Sequence, residues 1–311
     1  MSDPTRRELI TWGIAAVGAA AAGAGFALAT GHERAAASRP TLPTVDLPPS
    51  AWRETGGWAV GLRQPRALVL VGNALVAGGD GAVTWFAPDG AEQRRAPIDG
   101  AVLALAAGAD GGVWLARSGA VERLAADGTV AWRCTLPVDS LPGGLAVTGG
   151  LVWVADCVGR RVLRFAADGS AAAGRVGCET FHIPSPWFPL AAGTDGLVWV
   201  SNTGRHRLEG YAADGRLVRQ WGEAGMDAAR FCGCCNPAAF QVLPDGRFVT
   251  AEKGSPRIKI HAGDGAFTEL VAGPAAFHRD TVGLVVAPDG RGGLAVLDPH
   301  AKRIRIFARA T

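Results

Sequence analysis

Val152-Trp153-Val154-Ala155-Asp156-Cys157-Val158-Gly159-Arg160-Arg161 returns as Val198-Trp199-Val200-Ser201-Asn202-Thr203-Gly204-Arg205-His206-Arg207. Two looser copies follow: Phe248-Val249-Thr250-Ala251-Glu252 leads to Arg257, and Leu294-Ala295-Val296-Leu297-Asp298 leads to Arg303. Earlier apolar runs, Leu75-Val76 and Val113-Trp114-Leu115, extend the series backwards. Asp-Gly pairs punctuate it at Asp89-Gly90, Asp127-Gly128, Asp168-Gly169, Asp214-Gly215 and Asp264-Gly265. Both residues tolerate positive φ, so each pair marks a tight hairpin turn. Short strands, regular turns and a period of about 40 residues predict an all-β fold, a six-bladed β-propeller with one four-stranded sheet per blade.

In the last four copies Asp156, Asn202, Glu252 and Asp298 end a second strand, and Arg161, Arg207, Arg257 and Arg303 open the third. This spacing, with Asp-Gly after the third strand, resembles NHL repeats across about residues 58–311. The resemblance implies a propeller of NHL type. In the first two copies Gly78 and Arg117 stand at the strand-ending position, and the loops are shorter. The repeated arginine is expected to be structural, an ion pair or backbone contact across the loop. The third strand of the last copy, Arg303-Ile304-Arg305-Ile306-Phe307, lacks a fourth. Gly57-Trp58-Ala59-Val60-Gly61-Leu62 is expected to supply it, placing the propeller's start near Trp52 and removing open edges.

The chain has 311 residues, of which 48% are hydrophobic and 19% charged, a balance that excludes intrinsic disorder. Its 44 glycines follow no collagen period and read as turn residues. A formal charge of +3 is too small to argue for nucleic acid as a partner. Thr5-Arg6-Arg7-Glu8-Leu9-Ile10 precedes a weakly apolar stretch to Thr30 and a small-residue site, Ala35-Ala36-Ala37. The paired arginines make it resemble a twin-arginine signal, although the usual lysine is missing. The alternative is a single membrane anchor. The expected organisation is a signal segment or anchor at 1–37, a Pro-rich tether at 38–54 and the propeller at 55–311. The expected location is periplasmic or otherwise extracytoplasmic, with membrane contact only through an uncleaved N-terminal segment.

Antiparallel strands place the loop after strand two and the link into the next blade on one rim. Cys157, Arg205, His206, Lys253 and His300 fall in such loops; Cys178, His182, Cys232, Cys234, Cys235 and His278 fall in such links. His261 is expected on the opposite face, and Cys134 in an outer strand as a buried, inert thiol. Cys232-Gly233-Cys234-Cys235 lacks zinc-finger spacing. Clustered thiolates suit a soft metal ion, copper or an iron–sulfur cluster, with Cys157, Cys178, His182 and His206 as further ligands. Cys234 and Cys235 alternatively form a strained, redox-active vicinal disulfide. Ordinary structural disulfides, with Cys157–Cys178 as one bridge, are the third possibility. Arg205, Glu252 and Lys253 are candidates to orient an anionic group or tune thiolate pKa; Glu252 has the competing role of partner to Arg257. Lys253 is one of only three lysines in the chain, with Lys259 and Lys302.

The Gly233-Cys234-Cys235-Asn236-Pro237 and Glu252-Lys253-Gly254 stretches resemble a group of exported bacterial NHL proteins, a resemblance that carries no activity with it. The favoured function is soft-metal binding or thiol redox chemistry at the rim. One alternative is a propeller lyase or hydrolase with a divalent metal in the central funnel; another is a scaffold for an unidentified periplasmic protein or small ligand.

Overall fold

The computed structural model describes residues 46–108, 110–168, 172–176 and 181–310. Strand β1 (Trp52–Ala59) comes first. Blade one follows with β2 (Arg63–Val71), β3 (Ala74–Phe86) and β4 (Glu92–Ala101). Blade two holds β5 (Ala104–Ala107), β6 (Val113–Arg117), β7 (Ala120–Leu124) and β8 (Val130–Thr135). Blade three holds β9 (Pro142–Thr148), β10 (Leu151–Asp156), β11 (Arg161–Ala166) and β12 (Ala172–Val176). Blade four holds β13 (Leu190–Ala192), β14 (Val198–Asn202), β15 (Arg207–Tyr211) and β16 (Leu217–Trp221). Blade five holds β17 (Ala239–Val242), β18 (Phe248–Glu252), β19 (Arg257–His261) and β20 (Phe267–Ala272). Blade six holds β21 (Val285–Pro288), β22 (Leu294–Asp298) and β23 (Arg303–Arg309). The first strands β2, β5, β9, β13, β17 and β21 touch in succession, and β21 meets β2, closing the ring. In the last sheet β1 pairs antiparallel with β23, from Trp52 opposite Arg309 to Ala59 opposite Arg303. Val60 to Leu62 lie past the end of that pairing.

Blade one departs from the simple repeat. A single strand, β3, pairs with β2 through its first half and with β4 through its second. Gly81, with φ +81°, stands where the halves meet. The Gly-Gly-Asp-Gly run at 78–81 leaves no room for the polar loop found in later blades.

Hydrophobic packing follows the blades. Among the described residues the core divides into six clusters, each spanning one interface between neighbouring blades. The tryptophan in each Val-Trp-Val or Val-Trp-Leu run plugs into the next blade. Trp114 packs with Leu145 and Val152, Trp153 with Leu190 and Val198, and Trp199 with Phe240 and Phe248. Trp153 and Trp199 are fully buried, and truncating such a side chain costs about 3–5 kcal/mol. Gly144 lets blades three and four close on each other, since a Cβ there would lie 2.6 Å from the Leu190 nitrogen and Phe188 oxygen.

The repeated acid and arginine act as a clasp on the incoming link. In blades three, four and five the last residue of the second strand accepts a backbone N–H from the segment that leads into its own blade. Asp156 takes Leu141 N–H at 3.1 Å, Asn202 takes His182 N–H at 2.9 Å, and Glu252 takes Cys232 N–H at 2.7 Å. Asp156 is held by Arg161 at 3.0 Å, and Glu252 by Arg257 at 2.7 Å and Lys259 at 2.8 Å. Blade two inverts the pair, with Arg117 ending β6 and Glu122 on β7. In blade four the amide of Asn202 donates instead to Glu209, and in blade six Asp298 faces Arg305 at 3.5 Å.

Two expectations need refining. His261 closes β19 at the end opposite the link rim, as expected, but it is fully buried there among Trp221, Phe231 and Phe267, with Thr250 and the Gly265 carbonyl on its ring nitrogens. Burial, reinforced by the Lys259 charge, drops its pKa to about 3 and keeps it neutral. Cys134 is half-buried, because the outer strand β8 alternates between exposed and partly covered positions.

Glu252 is the most exposed to test. Burial opposes its charge, but Lys259 and Arg257 more than offset this and hold its pKa below the usual carboxylate range. A depressed carboxylate pKa adds stability above the unfolded value and loses it as pH falls through the folded one. Glu252→Gln leaves two buried cations without a counter-charge and is expected to destabilise by about 3–5 kcal/mol at pH 7. Thermal unfolding from pH 7 down to pH 3 should show a shallower acid-side loss in the variant than in the parent chain.

Candidate functional site

Three segments meet on the link rim of blades three to five. The link into blade five carries Phe231-Cys232-Gly233-Cys234-Cys235-Asn236-Pro237, and Asn236 fastens it. This fully buried amide donates to the Cys232 and Lys253 carbonyls at 2.6 and 3.1 Å and accepts from Lys253 N–H at 2.9 Å. The loop after β14 fastens it from the other side, through His206 Nε2 to the Gly233 carbonyl at 2.8 Å. His206 caps a short 3-10 turn (Thr203–Arg205) in the left-handed conformation, φ 55°, which swings its ring toward Gly233. The third segment is the Pro-rich link into blade four. Thr203 Oγ donates to the Trp187 carbonyl at 3.1 Å, and Ser185 reaches the thiols.

These clasps set Cys234 and Cys235 side by side, with sulfurs 3.1 Å apart. Cys234 is exposed and Cys235 fully buried. Ser185 Oγ donates to Cys235 Sγ at 3.2 Å, and the Lys253 ammonium also hydrogen-bonds that sulfur. Burial opposes ionisation of Cys235, yet Lys253, Ser185 and Cys234 together carry its pKa below the usual thiol value. Cys234 moves the other way, first because its thiol is bonded to Cys235 and then through burial. The two thiols are therefore unequal, Cys235 ionising before Cys234. Cys232 takes no part in this. Burial, then the Glu252 carboxylate, push its thiol up to about 11.

The remaining predicted residues divide clearly. Lys253 and His206 stand at the pair. Arg205, exposed, immediately precedes His206. His182 is exposed nearby; its ring lies over Gly204, where a Cβ would come within 2.8 Å of it. Glu252 is absorbed by Arg257, Lys259 and the Cys232 N–H, and so orients no outside group. Cys157 shares the rim but not the pocket: it is buried against Gly143 and in the cluster of Phe181 and Phe188. Cys178 lies outside the described residues, and with it the proposed Cys157–Cys178 bridge. No two of the five described cysteines are joined by a disulfide. Nor do any three His, Cys, Asp or Glu side chains converge in metal-binding geometry among the described residues. An iron–sulfur cluster, which needs four ligands, is not assembled by them.

Sequence reasoning missed Ser185 and Asn236. Ser185 was visible only as part of a Pro-rich link, with no signal for its target fifty residues away. Asn236, next to the cysteine run, carried a local signal in its buried-amide chemistry. His278 and His300, expected on this rim, stack face to face at 4.2 Å beside Asp280. A cavity of about 230 Å³ lined by Asp195, Arg219 and Asp245 sits at the first-to-second-strand loops, the other end of the blades.

No protein-family model matches the chain, and no curated protein matches it in sequence. Solved structures match its shape. A gluconolactonase from Xanthomonas campestris superimposes with a TM-score of 0.61 at 17% identity, covering 88% of this chain and 99% of its own. Virginiamycin B lyase from Staphylococcus aureus, in a catalytically inactive form with quinupristin, gives 0.55 at 14% identity over 83% of this chain and 99% of its own. A Bacteroides thetaiotaomicron protein of unknown function gives 0.58 at 16% identity, over 83% and 74%. At these identities the likeness is one of fold: the chain is an all-β, six-bladed β-propeller with neighbours of the lyase and gluconolactonase type.

Proposed function

We propose that this propeller acts outside the cytoplasm through thiol–disulfide exchange at the Cys234–Cys235 pair. The observation that carries this reading is the contact of two sulfurs at 3.1 Å, one exposed and one buried against Ser185 and Lys253. The extracytoplasmic setting rests on the twin-arginine-like start of the chain.

The chemistry balances as follows. Cys235 thiolate takes the proton of Cys234, and Cys234 Sγ attacks one sulfur of a substrate disulfide. That S–S bond breaks, a mixed disulfide forms, and the first substrate thiolate leaves and is protonated. Cys235, again a thiolate, attacks Cys234 Sγ and releases the second. Two electrons and one proton pass from the protein to the substrate, the second substrate thiolate taking its proton from solvent, and a Cys234–Cys235 disulfide is left. In reverse, a substrate thiolate attacks the exposed Cys234 sulfur and Cys235 leaves. A leaving thiol of low pKa leaves faster, so the hydrogen bonds on Cys235 favour the protein as an oxidant of thiols.

A second reading rests on the same separation, since two adjacent sulfurs offer a bite for copper(I). The propeller lyase or hydrolase alternative draws support from the fold of its neighbours alone, and the scaffold alternative from the propeller architecture alone.

Peptide mass mapping after treatment with a small disulfide is expected to find a Cys234–Cys235 bridge, reversed by dithiothreitol. Cys235→Ser should instead retain one adduct on Cys234. Lys253→Met should slow exchange about tenfold near neutral pH, because the thiolate loses its cation. Finding both cysteines permanently as thiols under these conditions overturns the exchange reading, and a stoichiometric copper adduct lost on Cys235→Ser would select the second.

A further inference from the structure

We infer that the thiol pair is built for thiols and disulfides whose sulfur lies within a few atoms of a carboxylate, an inference that rests on the exchange reading above. Positive and imidazole groups from three elements stand at the thiol pair or on the loop that fastens it. Lys253 bonds the partner sulfur from the loop after β18. His206 reaches Gly233, the residue before Cys234, from the loop after β14, and Arg205 stands exposed beside it. His182, from the link into blade four, lays its ring on Gly204 of that same loop.

Among the described residues, the acids nearest the pair are engaged by other groups, Glu223 and Asp227 in the same link by Arg230. Glu252, the residue before Lys253, is buried under Arg257 and Lys259. Asn202 stands where blade three has Asp156, which removes a carboxylate from the loop holding Arg205 and His206. Asp156 itself is buried and held by Arg161. Among the described residues no carboxylate lies within ion-pair distance of Arg205 or Lys253. Lys253 is offset by the Cys235 thiolate, so the positive field at the exposed sulfur comes from Arg205, which has no ion-pair partner among the described residues. Such a field concentrates anions at a mouth and raises their encounter rate, an effect that salt screens.

The thiol chemistry and the charge preference are separated by three disulfides of similar size: dithiodiglycolate (anionic), hydroxyethyl disulfide (neutral) and cystamine (cationic). The reduced protein is mixed with each, formation of the Cys234–Cys235 bridge is timed by quench and mass mapping, and each rate is divided by that disulfide's rate with dithiothreitol. At low ionic strength the corrected rate for dithiodiglycolate is expected to exceed that for cystamine by about tenfold or more, with the neutral compound between them. In about 0.5 M salt the ratio should fall to roughly threefold or less. Arg205→Glu should shrink the low-salt ratio, while Arg216→Glu, in the exposed turn at the other end of blade four, should not. Equal corrected rates, or a preference for cystamine, overturn the charge inference while leaving the exchange reading standing. A pair that none of the three compounds oxidises overturns both.

Discussion

Antiparallel pairing inside each blade is the constraint on which the rest depends. A sheet that starts at the channel and runs outward must send its second-to-third-strand loop and its exit link to one end. Residues far apart along the chain then have a common rim whatever their identity. In blades three to five the clasp residue at the end of the second strand turns that topology into contact, because it takes a backbone N–H from the link arriving at its blade. Asn202 thereby fixes the start of the link that carries Ser185, and Glu252 fixes the start of the link that carries Cys234 and Cys235.

The thiol pair inherits its asymmetry from those links. One sulfur faces solvent, while the other lies beneath the Pro-rich segment with a hydroxyl and an ammonium directed at it. Asn236 joins the two halves of the arrangement, since the same amide holds the cysteine run and the backbone of Lys253. A cysteine run in a freely moving loop would share neither the contact nor the charge. Burial, aided by the Glu252 carboxylate just below, keeps Cys232 as a neutral thiol, which confines the reactive chemistry to the adjacent pair.

Much of this fold was legible because the repeat is written in chemistry that has one structural solution. Val-Trp-Val, an acid or amide, and arginine at a fixed spacing specify a buried strand, its end and the opening of the next. Blade one hid from the same logic because its glycines remove the loop that marks the boundary. The site was legible in outline, since topology alone carries Cys234, Cys235, Lys253 and His206 to one rim. Its details were not. Spacing paired Glu252 with Arg257 but could not say that Lys259 joins them, nor that Cys157 packs beneath Phe188 instead of facing its distant counterparts. The burial of His261 escaped because the aromatic rings around it come from three separate segments.

The account rests on Cys235 being held as a thiolate beside a protonated Cys234, and thiolate absorbance near 240 nm measured against pH reads that state directly. One thiolate is predicted to appear below the ordinary thiol value of about 8.5, to vanish in Cys235→Ser and to shift upward in Lys253→Met. A first thiolate that appears only above that value, or one that survives unchanged in Cys235→Ser, would contradict it.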